Sequence, residues 1–167
     1  MTSIDAPPWT TREATDDELD AAGAVVCAAY AADGHASAEY HRVLADARAR
    51  AKEATVVVAV TAAGQVVGSV TFALAGSPWA DVATDGEAEF RMLGVLPSHR
   101  GLGVGGALSR WCIDRARASG RRRIVISSQP EMTSAHRMYL ALGFVRRPDL
   151  DWSPVPGVDL LGFSLEL

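Results

Sequence analysis

Apolar positions along this chain change their spacing several times, and each change marks a boundary between elements. Residues 9–14 predict a short first strand. TDDELDAAGAVVCAAYAADG (15–34) predicts a helix, with Thr15 or Asp16 as its cap, acids in its first turn and Gly34 at its end. SAEYHRVLADARARAKEA (37–54) continues as a second helix with Tyr40, Val43, Leu44 and Ala47 on one face. TVVVAVT and QVVGSVTFAL are rich in β-branched residues and form a hairpin around AAG. A turn-rich loop then leads to EFRMLGV (Glu89 to Val95), a buried strand.

After the loop LPSHRGLG, the stretch 104–119 is amphipathic, with Val104, Ala107, Leu108, Trp111 and Cys112 on one stripe and Gly120 at its end. RRRIVISS predicts a strand, and TSAHRMYLAL a helix capped by Thr133 or Ser134 and stopped by Gly143. FVRR and GVDLLGFSLEL supply closing strands. The order β-α-α-β-β-β-α-β-α-β-β describes a mixed α/β sheet with one parallel crossover around residues 89–128.

Composition narrows the function. A chain of 167 residues is long enough for one substantial core and reads as a single domain over 1–167, with residues 1–8 as a flexible leader. A net charge of −4 argues against nucleic acid as a partner. The N-terminal stretch lacks the cationic start and apolar run of a secretory signal, and no apolar stretch approaches membrane-spanning length. Cys27 and Cys112 fall in helical segments without C-x-x-C spacing, so buried free thiols are expected. His35, His41, His99 and His136 share no metal-ligand spacing, and no metal is expected. Together these features point to a cytoplasmic protein. The run Arg121–Arg123 follows a helix end and opens a strand, as solvated charge does.

Residues 101–106, GLGVGG, match G-x-G-x-x-G through Gly101, Gly103 and Gly106. A dinucleotide turn needs a strand running straight into the first glycine and an acid about 20 residues on for the ribose. Here LPSHR intervenes after Val95, and the next strand carries no acid before Glu131. A Walker loop needs Lys-Ser/Thr at the helix start, where this chain has Ala107-Leu108. What remains is an arginine, closely spaced glycines and a helix N-terminus, which can hold a diphosphate without reacting with it. The simpler alternative is a glycine turn that only packs a helix on a strand.

The segment VLPSHRGLGVGGAL resembles the acyl-CoA loop of the GNAT N-acetyltransferase superfamily, R/Q-x-x-G-x-G/A, through Arg100, Gly103 and Gly105. AHRMYLALGF is similar to the family's A-x-x-x-Y-x-x-x-G-F through Ala135, Tyr139, Gly143 and Phe144. Met132 stands where many members carry asparagine, with Thr133 or Ser134 as hydroxyl substitutes. The resemblance implies a GNAT-type acyl-CoA N-acyltransferase fold, a mostly antiparallel central sheet flanked by about four helices. It also implies transfer of acetyl from acetyl-CoA to a primary amine on a small molecule or peptide, with no membrane partner and a homodimer left open. The alternative is a non-catalytic acyl-CoA-binding or sensor domain.

By the same resemblance, cofactor contacts fall to Leu93, Gly94 and Val95, to Arg100, Gly101, Leu102 and Gly103, to Val104, Gly105, Gly106 and Ala107, and to Ser134 and Arg137. Tyr139 becomes the candidate acid for the departing thiolate, or else a core tyrosine on the face shared with Ala135, Met138 and Leu142. Glu89 becomes the candidate base, with Glu87 as its rival and a solvated strand-end charge as the plain alternative. Tyr30, Trp79 and Trp152 are expected to line the acceptor pocket.

Overall fold

A computed structural model describes residues 7–167; the leader expected over 1–8 falls outside the described residues except for Pro7 and Pro8. The chain runs β1 (Trp9–Glu13), α1 (Leu19–Asp33), α2 (Ala38–Ala45), α3 (Ala47–Ala51), β2 (Thr55–Thr61), β3 (Val66–Leu74), β4 (Glu87–Val95), α4 (Val104–Ala118), β5 (Arg123–Ser128), α5 (Thr133–Ala141), β6 (Val145–Arg146), β7 (Trp152–Val155) and β8 (Val158–Glu166). The strands lie in the order β1-β2-β3-β4-β5-β8-β6, with β7 beside β8. Pairing is antiparallel except between β4 and β5, which α4 connects. The mixed sheet and its single parallel crossover are those the hydrophobic pattern predicts.

Three details differ from that pattern. The second helix is two: the chain breaks at Asp46 (φ −89°, ψ 67°), whose carboxylate accepts from the Ala49 N–H at 3.0 Å and caps α3. This raises the helix count from about four to five. Strand β4 starts at Glu87, because its pairing with β3 and β5 continues past Glu89. No side-chain bond from Thr133 or Ser134 caps α5, where Met132 occupies the cap position.

Helices α1 and α4 pack on the middle of the sheet, and glycines set how closely. A Cβ on Gly94 would lie 2.9 Å from the Val26 Cα, and one on Gly68 would lie 2.8 Å from Val104 Cγ1. Leu108, Cys112 and Ala116 from α4 join Phe90, Ile124 and Ile126 in the main core. Behind α2, fully buried Arg50 donates to the Val43 carbonyl at 2.6 Å, the Leu44 carbonyl at 3.0 Å and Thr71 Oγ1 at 3.0 Å. A buried guanidinium with oxygens on its N–H groups avoids the cost of an unpaired buried charge and staples α2 to β3.

Candidate active site

The site begins with a defect in β4. Ser69 of β3 faces Gly94 of β4 while Thr71 faces Arg91, so β4 carries one extra residue there. Met92 absorbs it at φ +56°, a conformation that costs a non-glycine residue about 1–3 kcal/mol. On the other side, β4 pairs with β5 only through Glu87, Ala88 and Glu89. Beyond Glu89 the two strands part, and the β5-facing edge of Leu93–Val95 is left out of any ladder among the described residues.

The opening is a cavity of about 790 Å³. Its floor is Leu93, Gly94 and Val95; Arg100, Gly101 and Gly103 border it from the loop, and Val104, Gly105 and Gly106 from the first turn of α4. Gly101 (φ +75°) and Gly103 (φ +91°) hold left-handed conformations that other residues enter only at a cost. From Gly101 to Gly106 no backbone N–H donates to the protein among the described residues; the first that does is Ala107, to the Gly103 carbonyl at 3.0 Å. A row of undonated N–H groups at a helix N-terminus fits an anionic diphosphate. Nothing lies within 4 Å of where side chains on Gly101 and Gly103 would be, so the approach is open.

The charge at this cradle differs from the sequence reading. Arg100 does not present a free cation: its guanidinium holds both carboxylate oxygens of Asp33 at 2.8 and 3.0 Å and the Ala29 carbonyl at 3.1 Å. It ties the loop to the end of α1. Arg110, one turn beyond Gly106 on α4, borders the cavity and makes no ion pair among the described residues. The sequence reading missed it because the loop pattern ends before it; its signal was the helical spacing that returns Arg110 to the side of Gly106.

A second, small cavity of about 60 Å³ adjoins the first, and Tyr30 and Met132 border both. Glu89, Arg91 and Trp152 line it. Glu89 is 1% exposed, and its Oε2 accepts the Val82 and Ala83 N–H groups at 3.0 and 3.2 Å. Burial pushes its carboxyl above the usual carboxylate range, against those two N–H groups and Arg91. Glu87 is engaged elsewhere, by the Thr84 N–H and hydroxyl at 2.9 Å and by Arg123 at 3.0 Å. Burial raises it too, but these partners together hold it below the usual range.

A family model described as "Acetyltransferase (GNAT) family" matches residues 16–144. The chain belongs to the GNAT acetyltransferase family. Among curated proteins none matches it in sequence. Solved structures with the GNAT fold include a GNAT acetyltransferase of Staphylococcus aureus Mu50 (13% identity, 95% of this chain and 99% of that one, TM-score 0.75). The yncA protein of Salmonella typhimurium, solved with its cofactor acetyl-CoA, is 24% identical over 95% of this chain and 94% of that one, TM-score 0.67. A GCN5-related N-acetyltransferase from Kribbella flavida is 26% identical over 96% and 98%, TM-score 0.65.

Within this GNAT chain, most expected cofactor contacts converge on the larger cavity, and Ser134 joins them from α5. Leu102, Ala107 and Arg137 do not border it; Leu102 and Arg137 are exposed, and Ala107 is half-buried. His136 turns inward, its ring 5.1 Å from that of Phe163 and its Nε2 3.1 Å from Ser128 Oγ. Trp79 borders neither cavity and packs in the cluster of Val26, Leu44 and Met92. Tyr139 sits among Phe90, Phe144 and Phe163, and its hydroxyl makes no hydrogen bond among the described residues. Its ring borders neither cavity, while its neighbours Met138 and Ala135 border the larger one. Burial, with Cys112 nearby, raises its phenol above the usual range.

Proposed function

We propose that this GNAT protein is an N-acetyltransferase that moves an acetyl group from acetyl-CoA directly to a primary amine. The observation that carries the reading is the parting of β4 from β5, with an anion cradle at one side and a buried carboxylate in the adjoining cavity. The Salmonella yncA structure, which holds acetyl-CoA, supports the choice of cofactor. Bound in the larger cavity, acetyl-CoA supplies an acyl group already activated as a thioester.

The chain's own groups divide the remaining work. The N–H groups of the α4 N-terminus and its glycine loop hold the diphosphate, with Arg110, unpaired among the described residues, beside them. The unladdered edge of Leu93–Val95 offers backbone groups that align the pantetheine arm and polarise the carbonyl. Glu89 has one carboxylate oxygen, Oε1, without a protein partner among the described residues, and it removes the amine's proton directly or through one water. Tyr139, kept protonated by burial, lies behind the cavity-lining Ala135 and Met138 and can return a proton to the departing sulfur only once that wall shifts on cofactor binding.

Thermal-shift titration with CoA, acetyl-CoA, NAD and NADP tests cofactor choice, and thiol release with an amine panel tests turnover. Stabilisation by CoA and acetyl-CoA together with amine-dependent release is the expected result. Stabilisation by NAD and not by CoA overturns the reading. Binding of CoA without release would leave a non-catalytic acyl-CoA-binding domain.

A further inference from the structure

Resting on that reading, we infer that the acceptor is a small amine that also carries a carboxylate, as an amino acid does, with Arg91 receiving the carboxylate and Glu89 facing the amine. Both residues belong to β4 and line the small cavity. They are two residues apart, ahead of the extra residue at Met92, so both side chains leave the same face about 6.7 Å apart. One bridging water and one amino-acid backbone span that gap.

Arg91 has the donors for the task. Its Nη1 is engaged by Asp81 at 2.8 Å and the Trp79 carbonyl at 3.3 Å, while Nε and Nη2 donate to nothing among the described residues. A guanidinium carries five N–H groups in a fixed fork, so one edge can hold Asp81 and the other a second carboxylate. The Tyr30 and Tyr40 rings meet edge to face, centroids 6.2 Å apart, and neither hydroxyl donates to the protein among the described residues. Beside Arg91 the cavity therefore offers two hydroxyls that are able to donate to an anion.

The charge pattern separates this class from its main rival, a diamine. Asp81 is already paired with Arg91, which leaves Glu89 as the cavity's one acid without an ionic partner among the described residues. A second ammonium group would find Arg91 where it needs a carboxylate. The cavity volume of about 60 Å³ suits a small molecule better than an oligosaccharide.

The test compares kcat/KM for thiol release from acetyl-CoA with free neutral amino acids, their methyl esters and α,ω-diamines, using the full chain. Esterification makes the amine less basic and more often neutral, so simple reactivity favours the ester, and a preference for the acid must come from recognition. The expected preference for acid over ester is about 30-fold, the loss of charge-assisted hydrogen bonds. Arg91→Gln should reduce it to within about threefold by removing the acid's advantage, and Arg91→Lys should fall between. The comparison on the unaltered protein stands even if Arg91→Gln misfolds. Equal rates for acid and ester, or a preference for diamines, overturn the carboxylate inference and leave acetyl transfer intact. No release with any amine overturns both.

Discussion

Glu87 and Glu89 leave the same face of β4 two residues apart, and only Glu89 keeps a carboxylate oxygen free of protein partners among the described residues. Glu87 bridges the loop to Arg123 and Arg122, whereas Glu89 closes a turn with one oxygen and lines the small cavity. Glu89→Gln should lower kcat by about 10²- to 10⁴-fold. The acid limb of the kcat/KM profile should disappear with it, and that limb in the parent should lie above the ordinary carboxylate range because burial raises Glu89. Glu87→Gln should lower Tm by breaking a largely buried pair, with kcat retained within about twofold. An unaltered pH profile in Glu89→Gln removes that residue from the chemistry.

Tyr139→Phe separates the acid role from the core role. The hydroxyl makes no hydrogen bond among the described residues, so its loss should leave Tm nearly unchanged while the ring keeps its contacts with Phe90, Phe144 and Phe163. A proton donor's removal should lower kcat by about 10²-fold or more. Stopped-flow thiol release at several pH values reads the difference, and full activity would assign Tyr139 to packing alone.

Arg110 and Arg100 should contribute unequally to CoA binding. Arg110 has no ion pair among the described residues, so Arg110→Ala should raise the Kd for CoA by about 10-fold or more, with weaker salt dependence. Arg100 is already held by Asp33, and Arg100→Ala should weaken binding less and act chiefly through the loop's attachment to α1. Calorimetric titration at two salt concentrations ranks the two. A larger loss from Arg100 would mean the Asp33 pair opens when the cofactor binds.

Acid stability should carry a signature of Glu18. The Arg12 guanidinium, with the Thr15 N–H and hydroxyl, outweighs partial burial and holds its carboxyl down at about 2. A depressed folded-state pKa stabilises the fold fully above the unfolded value, and the gain is lost as pH falls toward about 2. Chemical denaturation from pH 6 down to about 2.5 should show this loss below about 4.5, and Glu18→Gln should flatten it. An equal slope in the variant would place the acid sensitivity elsewhere.

Helix and strand positions were legible because apolar spacing reports which face a segment buries, as with Leu108 and Cys112 on α4 or the valines of β2. The glycine cradle was legible for a different reason: Gly101 and Gly103 occupy backbone conformations that nearly every other residue resists. The break at Asp46 escaped the pattern because one aspartate caps a new helix without disturbing the apolar face that continues through Leu44 and Ala47. Strand β7 escaped because Trp152–Val155 is exposed apart from Trp152 and has little apolar alternation.

The sequence by itself determined the order of elements, the glycine loop and the short list of acids, since each follows from local spacing and backbone preference. Tertiary structure decided which members of that list share a site. Pairing fixed that Glu87 meets Arg123 while Glu89 meets the cavity, and that Asp33, 67 residues before Arg100, takes its charge. It also brought Arg110 to the cradle and Arg91 beside Tyr30 and Tyr40. Local spacing carries no record of such encounters, because they depend on where the sheet splays and how closely two helices approach it.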